Sequence, residues 1–129
     1  MNFKGKTAIA TGAVSGMGLL FSQNFAALGG NIVLVDINEE ALKKCVEEIK
    51  NSGGNAIGVV CDVRDYSQVL KVCDEAVEAF KSIDIMCNFA GGTAMRMLNM
   101  DRSTEFPDVP IEVYDWGLDV NLKGQFYFD

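Results

Sequence analysis

Residues 11–18 read Thr11-Gly12-Ala13-Val14-Ser15-Gly16-Met17-Gly18, three glycines at G-x-x-x-G-x-G spacing, between an apolar run and an amphipathic segment. A phosphate approaching a helix N-terminus meets free backbone N–H groups and the positive end of the helix dipole. Side chains at such a turn block that approach, so glycines serve both the turn and the close contact. Taken alone, the glycines also fit an ordinary tight turn. Asp36 narrows the reading, because it ends the next apolar run about twenty residues further on. A carboxylate there accepts hydrogen bonds from ribose hydroxyls and repels a 2′-phosphate. No Arg or Lys stands at Ala13, Val14, Ser15, Ile37 or Asn38 to offset that repulsion. The pattern implies a dinucleotide, NAD in preference to NADP.

The elements that must position these groups alternate. Thr7–Ala10 reads as a short buried strand, and Asn31–Asp36 as a second, rich in β-branched residues. Between them, Gly16–Leu28 carries Leu20, Phe21, Phe25 and Leu28 at helical spacing. Asn38 is placed to cap a second helix, with Glu39 and Glu40 in its first turn and Ala41, Leu42, Cys45, Val46 and Ile49 on its apolar face. Ser52-Gly53-Gly54 ends it. Ala56–Cys61 is a third strand. Val69, Val72, Cys73, Ala76, Val77 and Phe80 form the face of a third helix. Ile83–Cys87 is a fourth strand with Asp84 inside it, and 91–110 is irregular, with Met95, Met97 and Met100 as packing filler or substrate-side residues. Ile111–Asp129 reads as helical. Strands and helices in this order imply right-handed βαβ units and an α/β fold, a doubly wound parallel sheet of Rossmann type ordered 3-2-1-4.

Composition removes several function classes. The chain of 129 residues carries a net charge of −7, which argues against nucleic acid as a partner. No apolar run approaches membrane-spanning length. The first residues run straight into a strand, so no signal peptide is expected and a cytoplasmic location is the default. Cys45, Cys61, Cys73 and Cys87 form no C-x-x-C pair and there is no histidine, so no metal site is expected. The four thiols are expected to be buried in the core.

Four segments in order give the chain its resemblance. Besides 11–18 they are Asp62-Val63, Asn88-Phe89-Ala90-Gly91 and Val120-Asn121-Leu122-Lys123-Gly124. Together they resemble the short-chain dehydrogenase/reductase family over essentially the whole chain. The resemblance implies that Gly12, Gly16 and Gly18 shape a pyrophosphate turn, with Ser15 and the Met17 N–H close to the phosphates. It implies that Asp36 holds the adenosine ribose, and that Asp62 and Val63 contact the adenine, the carboxylate accepting from its amino group. Asn88, Ala90 and Gly91 are expected to line the ribose side of the cleft. Asn121 matches the family's helix asparagine, which helps support a catalytic lysine through water. Phe89 departs from the family, which usually has asparagine there, and the stretch from Gly91 to Ile111 is longer than usual.

The family's hydride chemistry between an alcohol and a ketone uses a tyrosine as acid/base, a lysine four residues later and a serine. A phenol is a poor base at neutral pH unless a nearby cation favours the phenolate. Tyr66 is followed at that spacing by Leu70 and Tyr114 by Leu118, while Tyr127 is two residues from the last. The expectation is therefore a single NAD-binding domain over 1–129, incomplete at its C-terminus. It would bind cofactor without turnover, belong to a longer oxidoreductase that takes a small alcohol or ketone, and form a homo-oligomer when complete. An open edge on the fourth strand and exposure of Trp116, Leu118, Val120, Phe126 and Phe128 are expected to leave the stretch marginally stable. Two other classes fit parts of the pattern. One is a non-catalytic nucleotide-binding module. The other is a methyltransferase, which does not explain Asn121 or Asn88-Phe89-Ala90-Gly91.

Overall fold

The computed structural model describes residues 2–93, 101 and 103–129; Met95, Met97 and Met100 lie outside the described residues. Strands β1 (Thr7–Thr11), β2 (Asn31–Asp36), β3 (Asn55–Val60) and β4 (Ile85–Asn88) form one parallel sheet in the order β3-β2-β1-β4, the order the alternation implied. β1 and β2 are central and their apolar side chains are buried. Burying each of Ile32, Val33, Leu34 and Val35 contributes about 1.5–3 kcal/mol. Their alternating side chains feed two cores, one on each face of the sheet. Ile32 and Leu34 meet Phe25, Leu42 and Ile49, whereas Val33 and Val35 meet Val59, Val69 and Val72.

Helices α1 (Gly16–Ala27) and α2 (Glu39–Asn51) cover the first face, and α3 (Tyr66–Phe80) covers the second. Asn38 caps α2, its Oδ1 accepting from the Ala41 N–H at 3.0 Å. Asp65 caps α3, accepting from the Ser67 and Gln68 N–H groups. The face of α1 differs from the one its leucines suggest. Leu20 and Leu28 are exposed, and Gly18, Ser22, Phe25 and Ala26 are buried. Gly18, Ser22 and Ala26 fall four apart, so they share one line of the helix and let its backbone approach the sheet closely. The Ser22 hydroxyl is satisfied within the helix, donating to the Gly18 carbonyl at 2.8 Å.

Three further expectations are corrected. Asp84 precedes β4 and is not part of it. Its carboxylate accepts from the Thr7 N–H at 2.9 Å, from Lys6 Nζ at 2.6 Å and from the Ser82 hydroxyl at 3.1 Å, closing the start of β1 against β4. Only Cys45 and Cys61 are fully buried; Cys73 and Cys87 are half-buried, Cys87 because it lies on the edge strand β4 beside the first core. The last helical stretch is broken into α4 (Ile111–Leu118), a π turn (Asp119–Lys123) and a short turn (Gly124–Phe126). Within it Leu118 and Phe126 are exposed, Trp116 and Phe128 are half-buried, and Val120 is buried, since the π turn rotates it inward. A Cβ on Gly124 would stand 2.7 Å from Val63 Cγ2 and 3.1 Å from the Val63 carbonyl, so this glycine lets the helix end press on the turn after β3.

Candidate functional site

All four strands point their C-terminal ends at one cleft of about 450 Å³. Parallel sheets build sites there, where the chain order reverses beside the first strand. One wall is the turn from β1 into α1. Gly12 has φ +62° and Gly16 has φ +52°, conformations glycine adopts without cost. A Cβ on Gly12 would lie 2.9 Å from the Ala90 nitrogen and 3.0 Å from the Phe89 carbonyl carbon. A Cβ on Gly18 would press into the Gly12 carbonyl. The turn is thus held between the end of β4 and the first turn of α1, with no room for side chains. Around Gly16 the space is open. Ser15 occupies the N-cap position in an extended conformation, yet its hydroxyl makes no capping hydrogen bond. The first N–H groups of α1 therefore carry no side-chain cap from Ser15.

Backbone and side-chain bonds tie the walls together. The Thr11 hydroxyl accepts from the Ala90 N–H at 3.0 Å, joining the ends of β1 and β4. The Ala13 N–H donates to the Val35 carbonyl at 3.2 Å, and the Cys61 N–H to the Asp36 carbonyl at 3.0 Å. One oxygen of Asp36 accepts from the Asn38 N–H at 3.1 Å, which steadies the carboxylate at the end of β2.

At the far end of the cleft Asp62 is paired with Arg64. The guanidinium reaches both carboxylate oxygens at 2.6–3.1 Å and the Arg64 N–H adds a bond at 3.0 Å. These hydrogen bonds hold the Asp62 carboxyl below its ordinary pKa, so it is ionised at neutral pH. Nearby, burial pushes the Cys61 thiol up to about 11, so it is a packing group and not a nucleophile.

The fold brings together Gly12, Ser15, Gly16, Met17, Gly18, Asp36, Asp62, Val63, Ala90 and Gly91 around this cleft. Two expected residues stand apart from its lining. Asn88 ends β4 opposite Thr11, and its Oδ1 is buried without a partner among the described residues. Asn121 sits on the π turn and clamps Gly92. Its Oδ1 accepts from the Gly92 N–H and its Nδ2 donates to the Gly92 carbonyl, both at 2.9 Å. A side chain on Gly91 would collide with that amide, a Cβ standing 2.8 Å from Oδ1.

Other lining residues were given no role by the sequence pattern, although Phe89 and Val120 lie inside its motif segments. Arg64 and Ile37 neighbour Asp62 and Asp36, but nothing in their spacing announces them. Phe89 reaches the wall because its ring packs on Phe21 of α1, with centroids 5.6 Å apart. Trp116 and Val120 arrive only because the helix after Pro110 folds back over the cleft. Among the described residues no cluster of three His, Cys, Asp or Glu groups is placed to hold a metal ion. No helix among them is long and apolar enough to cross a membrane.

Residues 6–128 match the family model for short chain dehydrogenase. The chain belongs to that family. It is 36% identical over 124 residues to a probable tetrahydroxynaphthalene reductase of Zymoseptoria tritici, covering 95% of this chain and 43% of the relative. It is 38% identical over 127 residues to an uncharacterized oxidoreductase of Thermotoga maritima, covering 98% and 46%. A short chain dehydrogenase/reductase from Burkholderia phymatum, solved in complex with NAD, superposes with a TM-score of 0.86 at 31% identity, covering 99% of this chain and 43% of that one. The chain thus has the Rossmann-type fold of an oxidoreductase family, and it spans less than half the length of these relatives.

Proposed function

We propose that these 129 residues are the NAD-binding part of an oxidoreductase that moves a hydride between an alcohol and a ketone. The observation that carries this reading is the turn between β1 and α1. There the uncapped start of α1, the crowded Gly12 and Gly18, and the open Gly16 make a cradle with room for a phosphate and none for side chains. The residues fit the cofactor. Gly12, Ser15, Gly16, Gly18 and the Met17 N–H would hold the pyrophosphate, and Asp36 the adenosine ribose. Asp62 and Val63 would receive the base, and Ala90 and Gly91 the second ribose. Asn88, which ends β4 behind them, would support that wall. When bound, the nicotinamide supplies the hydride acceptor or donor.

The chain's own work is to bind and orient. Asp36 repels a 2′-phosphate, which favours NAD over NADP. Asn121 would help hold a lysine through water in the complete protein, while its amide here fastens Gly92. No Tyr-x-x-x-Lys is present, so the stretch alone would bind cofactor without turnover, as an incomplete domain. In the complete protein, exposed Ile111 and Leu118 on α4, with Leu122 and Phe126 on the turns that follow it, would pair with a second copy. Four free thiols support a cytoplasmic setting, and the charge of −7 speaks against a nucleic-acid partner.

Calorimetric titration with NAD and with NADP tests the binding claim. Saturable NAD binding, with NADP at least about tenfold weaker, is expected from one repelled phosphate. Equal affinities would remove the argument from Asp36, and no binding of either would remove the reading. Oxidation of NADH by the isolated stretch in the presence of ketones would refute the claim of binding without turnover.

A further inference from the structure

Arg64 is the one cationic side chain among the residues described as lining the cleft, and it stands beside the carboxylate assigned to the base. Its side chain is 41% exposed and that of Asp62 is 31% exposed, so the pair sits at the cleft margin and not in the core. An ion pair this accessible contributes little to stability. Its geometry nevertheless constrains Asp62. Oδ1 accepts from the Arg64 N–H at 3.0 Å and from Nε at 2.9 Å; Oδ2 accepts from Nη2 at 2.6 Å and shares Nε at 3.1 Å. A carboxylate has roughly four acceptor positions. Two donors of the guanidinium fork, Nε and Nη2, with the Arg64 backbone N–H leave about one of them free, and the fork stops the carboxylate from turning. The Gln68 amide oxygen accepts the Asp62 N–H at 2.9 Å and anchors the same turn from below.

We propose that Arg64 is a positioning residue for the base end of the bound dinucleotide, and that its guanidinium fork fixes the one free acceptor of Asp62 for an amino-bearing purine. The inference rests on the reading of the cleft as a NAD site. A 6-amino purine donates to that acceptor. A 6-oxo purine presents lone pairs to it and is repelled. Selectivity for the amino base therefore depends on how firmly the carboxylate is aimed, and that is what Arg64 controls. Lysine is no substitute, because an ammonium keeps the charge and lacks the planar fork.

The test is calorimetric titration of the full-length protein with NAD and with nicotinamide hypoxanthine dinucleotide, its 6-oxo analogue. The wild-type protein should prefer NAD. In Arg64→Ala the Kd for NAD should rise about tenfold, the worth of one aligned charge-assisted hydrogen bond, while that of the analogue stays nearly constant. Arg64→Lys should lose preference in the same direction. The melting temperature should hardly change, so loss of selectivity cannot be traced to unfolding. Parallel weakening of both ligands, an unchanged Kd for NAD, or full preference in Arg64→Lys overturns the role of the fork. Equal affinities in the wild-type protein overturn it too, while the cofactor reading stands. If the wild-type protein binds neither ligand, the cofactor reading falls and this inference with it.

Discussion

Gly18→Ala puts one methyl group where the turn has no space. The new Cβ would lie 2.9 Å from the Gly12 carbonyl carbon and 3.1 Å from the Ala13 Cα, with the Gly12 carbonyl oxygen closer still. Ordinary contact begins at 3.4 Å, so the carbon contact alone is short by 3.4 − 2.9 = 0.5 Å and the oxygen by more. All three atoms are backbone, and no side chain can swing away. The helix start and the turn must part by at least that distance, at a cost of about 1–3 kcal/mol in strain. Hydrogen bonds to a phosphate need donors within a narrow range of distance, so the same displacement should weaken NAD binding by about ten- to hundredfold. Gly53→Ala, at the end of α2 and away from the cleft, is the control. It meets nothing within 4 Å, and its positive φ costs about 1 kcal/mol. Calorimetric titration of both variants with NAD, with melts by circular dichroism, separates the two effects. Gly18→Ala should lose affinity beyond its loss of stability. If it bound NAD as the unsubstituted chain does, the cradle would not be the ligand site.

Two further outcomes follow from the hydrogen bonds at either end of the sheet. The Asp84 carboxyl is held down to about 2, first by Lys6 and then by the Thr7 N–H, against an ordinary 3.8. A folded pKa below the unfolded one gives stability that is present above pH 3.8 and lost as pH falls through 2. Asp84→Asn should therefore flatten the fall in melting temperature across that acid window, and an unchanged pH profile would refute the assignment. Asn121→Ala removes both bonds to Gly92 and should cost about 1–2 kcal/mol. Faster hydrogen exchange at the Gly92 N–H would register it. Asn121→Asp keeps the acceptor but sets a carboxylate oxygen against the Gly92 carbonyl, so it should not restore protection.

The residues alone determined the β-α alternation, the sheet order and the Asn38 cap, because each rests on spacing along the chain. Apolar runs such as Asn31–Asp36 have only one burial solution in a parallel sheet, and glycines before a helix have few uses other than close approach. Asp36 was legible for the same reason: it ends a strand whose neighbours in sequence are its neighbours in space. The misread positions share another cause. The leucines of α1 promised a face that the small residues took, since helix-to-sheet distance is settled by what the helix meets. Asp84 was placed inside a strand because its bonds to Lys6 and Thr7 cross 77–78 residues of chain. Asn121 reaches Gly92 across 29 residues, through a π turn that no periodicity announces. Arg64, Phe89 and Trp116 came to the cleft wall only when the strands were paired and the last helix folded back. Sequence spacing encodes contacts within an element and between consecutive elements. The walls of the cleft are made by elements far apart in the chain, and the packing of one core against another decides which side chains they present.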